Sequence, residues 1–78
     1  METFAARLAE IRRQRMMTQE EVAHAAGLSA ATVTRLETVV AANPRVVTVK
    51  RLAKVLDVDP AWLLWGGEAP ALKSKLAA

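Results

Sequence analysis

Residues 19–38 read Gln19-Glu20-Glu21-Val22-Ala23-His24-Ala25-Ala26-Gly27-Leu28-Ser29-Ala30-Ala31-Thr32-Val33-Thr34-Arg35-Leu36-Glu37-Thr38. Two short helical segments meet here at a glycine. Thr18-Gln19-Glu20-Glu21 is a capping box, in which the Thr18 hydroxyl takes the amide three residues on and Glu21 reaches back. Val22, Ala23 and Ala26 form a narrow apolar face, and Ala23 is small where the following helix crosses. Gly27 supplies the positive φ that ends the first segment. Ser29 caps the second, whose inward residues are Val33 and Leu36, and which ends near Glu37 or Thr38. Leu28, Val33 and Leu36 pin the second segment steeply across the first, which presents its other face outward to a groove.

Working outward, Thr3 to Arg15 forms a first helix, with Thr3 as N-cap and Phe4, Leu8 and Ile11 on one face. Arg7, Arg12, Arg13 and Arg15 crowd its second half and read as a solvated cationic face suited to the negative end of the helix dipole. Val39 to Val47 is a connection broken at Asn43-Pro44, because the residue before proline avoids the helical region. Its valines make it apolar for a loop. Thr48 is the expected cap of a fourth helix, in which Val49, Leu52, Ala53 and Leu56 repeat at helical spacing. Asp59-Pro60 opens a short fifth helix that ends at Gly66-Gly67. The pattern predicts one all-α domain over residues 1–67 and a tail over 68–78.

Composition bounds the function. The chain has 78 residues, and its 53% hydrophobic content supports a packed core, which argues against disorder. The absence of cysteine excludes disulfides and thiolate metal sites. No apolar run approaches the roughly 18 residues of a membrane span, and the segment around Glu2 and Arg7 has no secretory pattern. A cytoplasmic location is therefore expected. The net charge of +3 permits an anionic partner without demanding one. His24, the single histidine, reads as a surface residue, and no carboxylate pair marks a catalytic cleft. No enzyme activity, cofactor, metal or small-molecule ligand is expected.

From Phe4 to Gly66 the chain resembles the Cro/repressor-type (XRE-like) helix-turn-helix family. The likeness rests on Arg-Leu-Ala-Glu-Ile-Arg-Arg at 7–13, Thr-Gln-Glu-Glu-Val-Ala at 18–23 and Gly-Leu-Ser at 27–29. Arg-Leu-Glu at 35–37, Asn-Pro-Arg at 43–45, Leu-Ala-Lys-Val-Leu-Asp-Val at 52–58 and Trp-Leu-Leu-Trp-Gly at 62–66 extend it. The resemblance implies a five-helix bundle of the lambda-repressor-like type and a homodimer on double-stranded DNA, with the third helix, about 29–37, in the major groove. It assigns Thr18 and Gln19 to a phosphate, and Ala30, Ala31, Thr32 and Arg35 to the reading face, flanked by Ser29 and Thr34. Arg35 can take guanine O6 and N7 together, and the alanines and Thr32 can offer methyls to thymine. Asn43 and Arg45 would approach phosphate or the minor groove. Arg12 and Glu37 match a structural ion pair. Val39, Val40, Val46, Val47, Trp62 and Trp65 would meet near a dimer axis.

Three departures stand out. The stretch after Glu37, Thr38-Val39-Val40-Ala41-Ala42, lacks the usual Asn-Gly and the basic residues that follow it. Met16 stands where a glycine is usual before the second helix. Ala30 and Ala31 replace long polar readers. They motivate an alternative reading, a helix-turn-helix interaction module, such as an antitoxin or adaptor, that has lost most DNA binding. A phage-type repressor, a restriction-modification controller and the amino-terminal domain of a larger repressor all suit the main reading.

Overall fold

The computed structural model describes residues 3–39 and 43–67. Its elements are α1 (Phe4–Gln14), α2 (Gln19–Ala26), α3 (Ala30–Thr38), α4 (Val46–Leu56) and α5 (Pro60–Trp65). The described residues contain no strand, and the architecture is the expected all-α five-helix bundle. The expected tail at 68–78 lies outside the described residues, as does Val40.

Four helices start at the expected caps. Thr3 Oγ1 accepts from the Ala6 amide, Ser29 Oγ from Thr32 and Asp59 from Ala61. At α2 both halves of the capping box form: the Glu21 amide donates to Thr18 Oγ1 at 3.0 Å, and the Thr18 amide donates to Glu21 Oε1 at 2.8 Å. The fourth helix differs from expectation. It starts at Val46, after an extended Arg45 that makes no side-chain cap, and Thr48 falls inside its first turn. Burial of Val49, Leu52, Ala53 and Leu56 sets this helix, and packing of an apolar face outweighs a missing cap.

Helices α1, α2 and α4 end alike. In each, a residue in the left-handed region lets the next amide reach back across the final turn: Met17 to Arg12 O, Leu28 to Ala23 O and Val58 to Ala53 O. The left-handed residues are Met16 (φ 57°), Gly27 (φ 71°) and Asp57 (φ 56°). This is the Schellman arrangement, which glycine favours because other residues carry a Cβ penalty there. Helix α3 has no such end, because Val39 is extended at φ −89°, as befits a β-branched residue.

Helix α2 packs on both α3 and α4, while α1 packs on α3 and α5, and α4 also packs on α5. Leu8, Ile11, Val22, Val33, Leu52, Leu56, Val58 and Leu63 fill the shared centre with no exposed surface. Trp62 joins this core at 8% exposure. Its ring buries α5, whereas Trp65, the other tryptophan expected near a dimer axis, is 77% exposed and faces outward.

The arginines of α1 also depart from expectation. Arg7 is 5% exposed, and its Nε and Nη2 donate to the carbonyls of Leu63 and Leu64. Arg15 Nε donates to Leu56 O at 2.8 Å. These cations satisfy carbonyls that helix ends leave unpaired, at α5 and at α4. Only Arg13 behaves as a solvated cation, with a long 3.8 Å approach to Glu10. The signal was available, because Phe4, Arg7, Leu8 and Ile11 follow the i, i+3, i+4, i+7 spacing of a buried face.

Candidate nucleic-acid interface

Four side chains lock the end of α1, the start of α2 and the second half of α3 together. Arg12 grips Glu37 with two parallel bonds, Nε to Oε2 at 2.7 Å and Nη2 to Oε1 at 3.0 Å, and its Nη1 donates to Met17 O. Glu37 also accepts from Gln19 Nε2 at 2.9 Å, and Gln19 Oε1 accepts from the Thr34 hydroxyl at 2.8 Å. A carboxylate can only accept, so the amide nitrogen of Gln19 must face Glu37 and its oxygen must face Thr34. The Glu37 hydrogen bond raises the Arg12 pKa against the opposing effect of partial burial. The Arg12–Glu37 pair is thus present at short range, with the Glu37 side chain only 4% exposed.

The expected contact residues divide sharply. Ala31, Thr34 and Arg35 are exposed on α3, and Thr32 is half-buried beside them. The Arg35 side chain makes no hydrogen bond or ion pair among the described residues. Ser29 is exposed but serves as the α3 cap, sharing a 2.8 Å hydrogen bond with Thr32 Oγ1. Ala30 is half-buried: it packs against the core and also lines the cleft at the start of α2. Asn43 and Arg45 are exposed at the start of α4.

Thr18 and Gln19 open onto a cleft between the end of α1 and α3, with Ala30 and Thr34 on its far wall. Arg13 lines the same cleft. This cation, expected only on a solvated face, stands beside the α2 start, where amides and helix dipole favour an anion. Val39, Val46 and Val47 are exposed around the α3–α4 connection, and Trp65 is exposed at the end of α5. None of the helices among the described residues is long and apolar enough to cross a membrane.

A helix-turn-helix family model matches residues 8–63. The chain belongs to the helix-turn-helix family. It is 37% identical over 76 residues to the HTH-type transcriptional regulator PrtR of Pseudomonas aeruginosa; the match covers 97% of this chain but 29% of PrtR. Among solved structures, it is similar to the restriction-modification controller protein C.AhdI of Aeromonas hydrophila. There the identity is 33% and the TM-score 0.72, over 78% of this chain and 87% of that one. The P22 c2 repressor, solved with a synthetic operator, shares the fold at 21% identity and a TM-score of 0.78 over 86% of this chain and all of that one. The chain thus spans less than a third of PrtR, and it shares the fold of these solved helix-turn-helix domains.

Proposed function

We propose that this chain is a sequence-specific DNA-binding regulator, of repressor type, that holds a near-palindromic operator as a homodimer with α3 in the major groove. The carrying observation is Arg35, an unpaired guanidinium on an α3 that the Arg12–Glu37–Gln19–Thr34 chain holds rigidly against α1 and α2. A fixed helix carrying a free arginine suits bidentate capture of guanine. The operator in the P22 c2 structure and the controller role of C.AhdI support the same reading. Arg13, Thr18, Gln19 and Arg45 would hold phosphates, and a protein acting on DNA in this way works in the cytoplasm.

Two-fold pairing would set two α3 helices about 34 Å apart, one turn of DNA. Val39, Val46, Val47 and Trp65 are the exposed apolar residues such pairing would cover. Gel shifts on genomic fragments at two salt concentrations test the reading. Discrete shifted bands that weaken with salt are expected, and Arg35→Ala should weaken discrimination between fragments by relaxing preference at one base pair per half-site. Absence of any shift at low salt would favour the interaction-module alternative.

A further inference from the structure

Most polar groups on the outward side of α3 already have partners. The Thr34 hydroxyl proton goes to Gln19 Oε1, and the Thr38 hydroxyl proton to Thr34 O. One hydrogen bond joins the Ser29 and Thr32 hydroxyls, which leaves one of their two protons free, and Ser29 also takes the Thr32 amide. Both Glu37 oxygens are occupied by Arg12 and Gln19, so no α3 carboxylate is left to accept from a cytosine amino group. Arg35 remains, with five donors and no partner. Ala31 stands one turn before it, exposed on the same face, where side chains four apart are neighbours. Ala31 offers a methyl and nothing that forms a hydrogen bond.

Resting on the DNA-binding reading, we infer that α3 reads each half-site through one guanine, held by Arg35, and one 5-methyl group on a pyrimidine within two base pairs of it, held by Ala31. An apolar contact senses the methyl but not the exocyclic oxygen or amino group beside it. Thymine and 5-methylcytosine are therefore equivalent ligands at that position, while cytosine and uracil are poor ones. Operator affinity then responds to cytosine-5 methylation.

The test selects a ligand for the full chain from a pool of random synthetic duplexes, then alters single atoms of the winning sequence. Replacing one guanine per half-site by 7-deazaguanine removes an acceptor and should weaken binding about tenfold. Replacing the neighbouring thymine by uracil deletes one methyl and should weaken it about fourfold. At the same position, 5-methylcytosine should bind about fourfold more tightly than cytosine. Ala31→Gly should erase the thymine-to-uracil ratio, a comparison within one variant that any loss of stability leaves unchanged. Arg35→Ala should erase the guanine preference. Equal binding of thymine and uracil duplexes, or a guanine preference that survives Arg35→Ala, overturns the inference and leaves DNA binding standing. A pool that enriches no sequence overturns both.

Discussion

The guanidinium of Arg7 lies against the backbone of Gly66, so closely that a Cβ on that glycine would stand 2.9 Å from Nη1. Arg7 cannot easily yield, because it is buried and donates to Leu63 O at 3.0 Å and Leu64 O at 2.7 Å. Burial lowers its pKa from the ordinary arginine value, and no carboxylate forms a salt bridge with it among the described residues. Gly66 itself sits at φ 85°, ψ −157°, a region that is essentially glycine's alone. Gly66→Ala therefore combines backbone strain with displacement of a bonded cation, a loss of about 1–3 kcal/mol from strain alone. Thermal unfolding should show a melting temperature lower by roughly 5–20 °C. An unchanged midpoint would mean that Arg7 does not hold the end of α5.

The contrast between Arg7 and the caps shows what a sequence displays. Thr3, Thr18, Ser29 and Asp59 act through atoms within three residues of themselves, so spacing alone reveals them. Gly27 is legible for the same local reason. Arg7 and Arg15 act on carbonyls about 56 and 41 positions away, and nothing near them in the chain announces those partners. Gln19 was legible as a polar residue at a helix start, but its bonds to Glu37 and Thr34 depend on how α2 crosses α3. Trp62 and Trp65 are both bulky and three residues apart, and only the packing of α5 separates the buried ring from the exposed one. Met16 has no preference of its own for the left-handed region; only the glycine usual at this place in the family hints at it, and the chain geometry between α1 and α2 imposes it.

Met16 supplies the second prediction. It is 90% exposed and adopts φ 57°, so it bears the left-handed strain without packing in return. A non-glycine residue loses about 1–2 kcal/mol in that conformation, while glycine adds back some entropy to the unfolded chain. Met16→Gly should stabilise the domain by roughly 0.5–1 kcal/mol. Denaturant titration should move the midpoint upward with no change of slope. A midpoint that falls would sink the claim that this turn is strained.

The Arg12–Glu37 pair leads to a third. Glu37→Leu would leave the Arg12 guanidinium, whose side chain is 14% exposed, facing an apolar group. Breaking a buried pair costs about 3–5 kcal/mol, and the partial exposure of Arg12 places this one at the lower end. Gln19 would lose its anchor as well. Arg12→Met together with Glu37→Leu should be less destabilising than the two single changes summed, with a coupling of about 1–3 kcal/mol. Strict additivity in the double-mutant cycle would show that the two residues do not act as a unit.

The last prediction concerns self-association. Val46, Val47 and Trp65 are exposed and contribute little to the monomer's interior, whereas Trp62 is part of it. Covering about 400 Å² of apolar surface would contribute on the order of 10 kcal/mol gross at 25 cal/mol/Å². Association entropy offsets much of this, leaving a dissociation constant on the order of micromolar. Val47→Glu and Trp65→Ser should each shift sedimentation toward monomer and weaken DNA binding in parallel, because two half-sites then no longer bind together. Circular dichroism should remain helical in both. Trp62→Ala, by contrast, should unfold the domain, at a loss of about 3–5 kcal/mol for a buried aromatic ring. A wild-type chain that sediments as a monomer at high micromolar concentration, with DNA binding untouched by Val47→Glu and Trp65→Ser, would exclude this surface as the dimer contact.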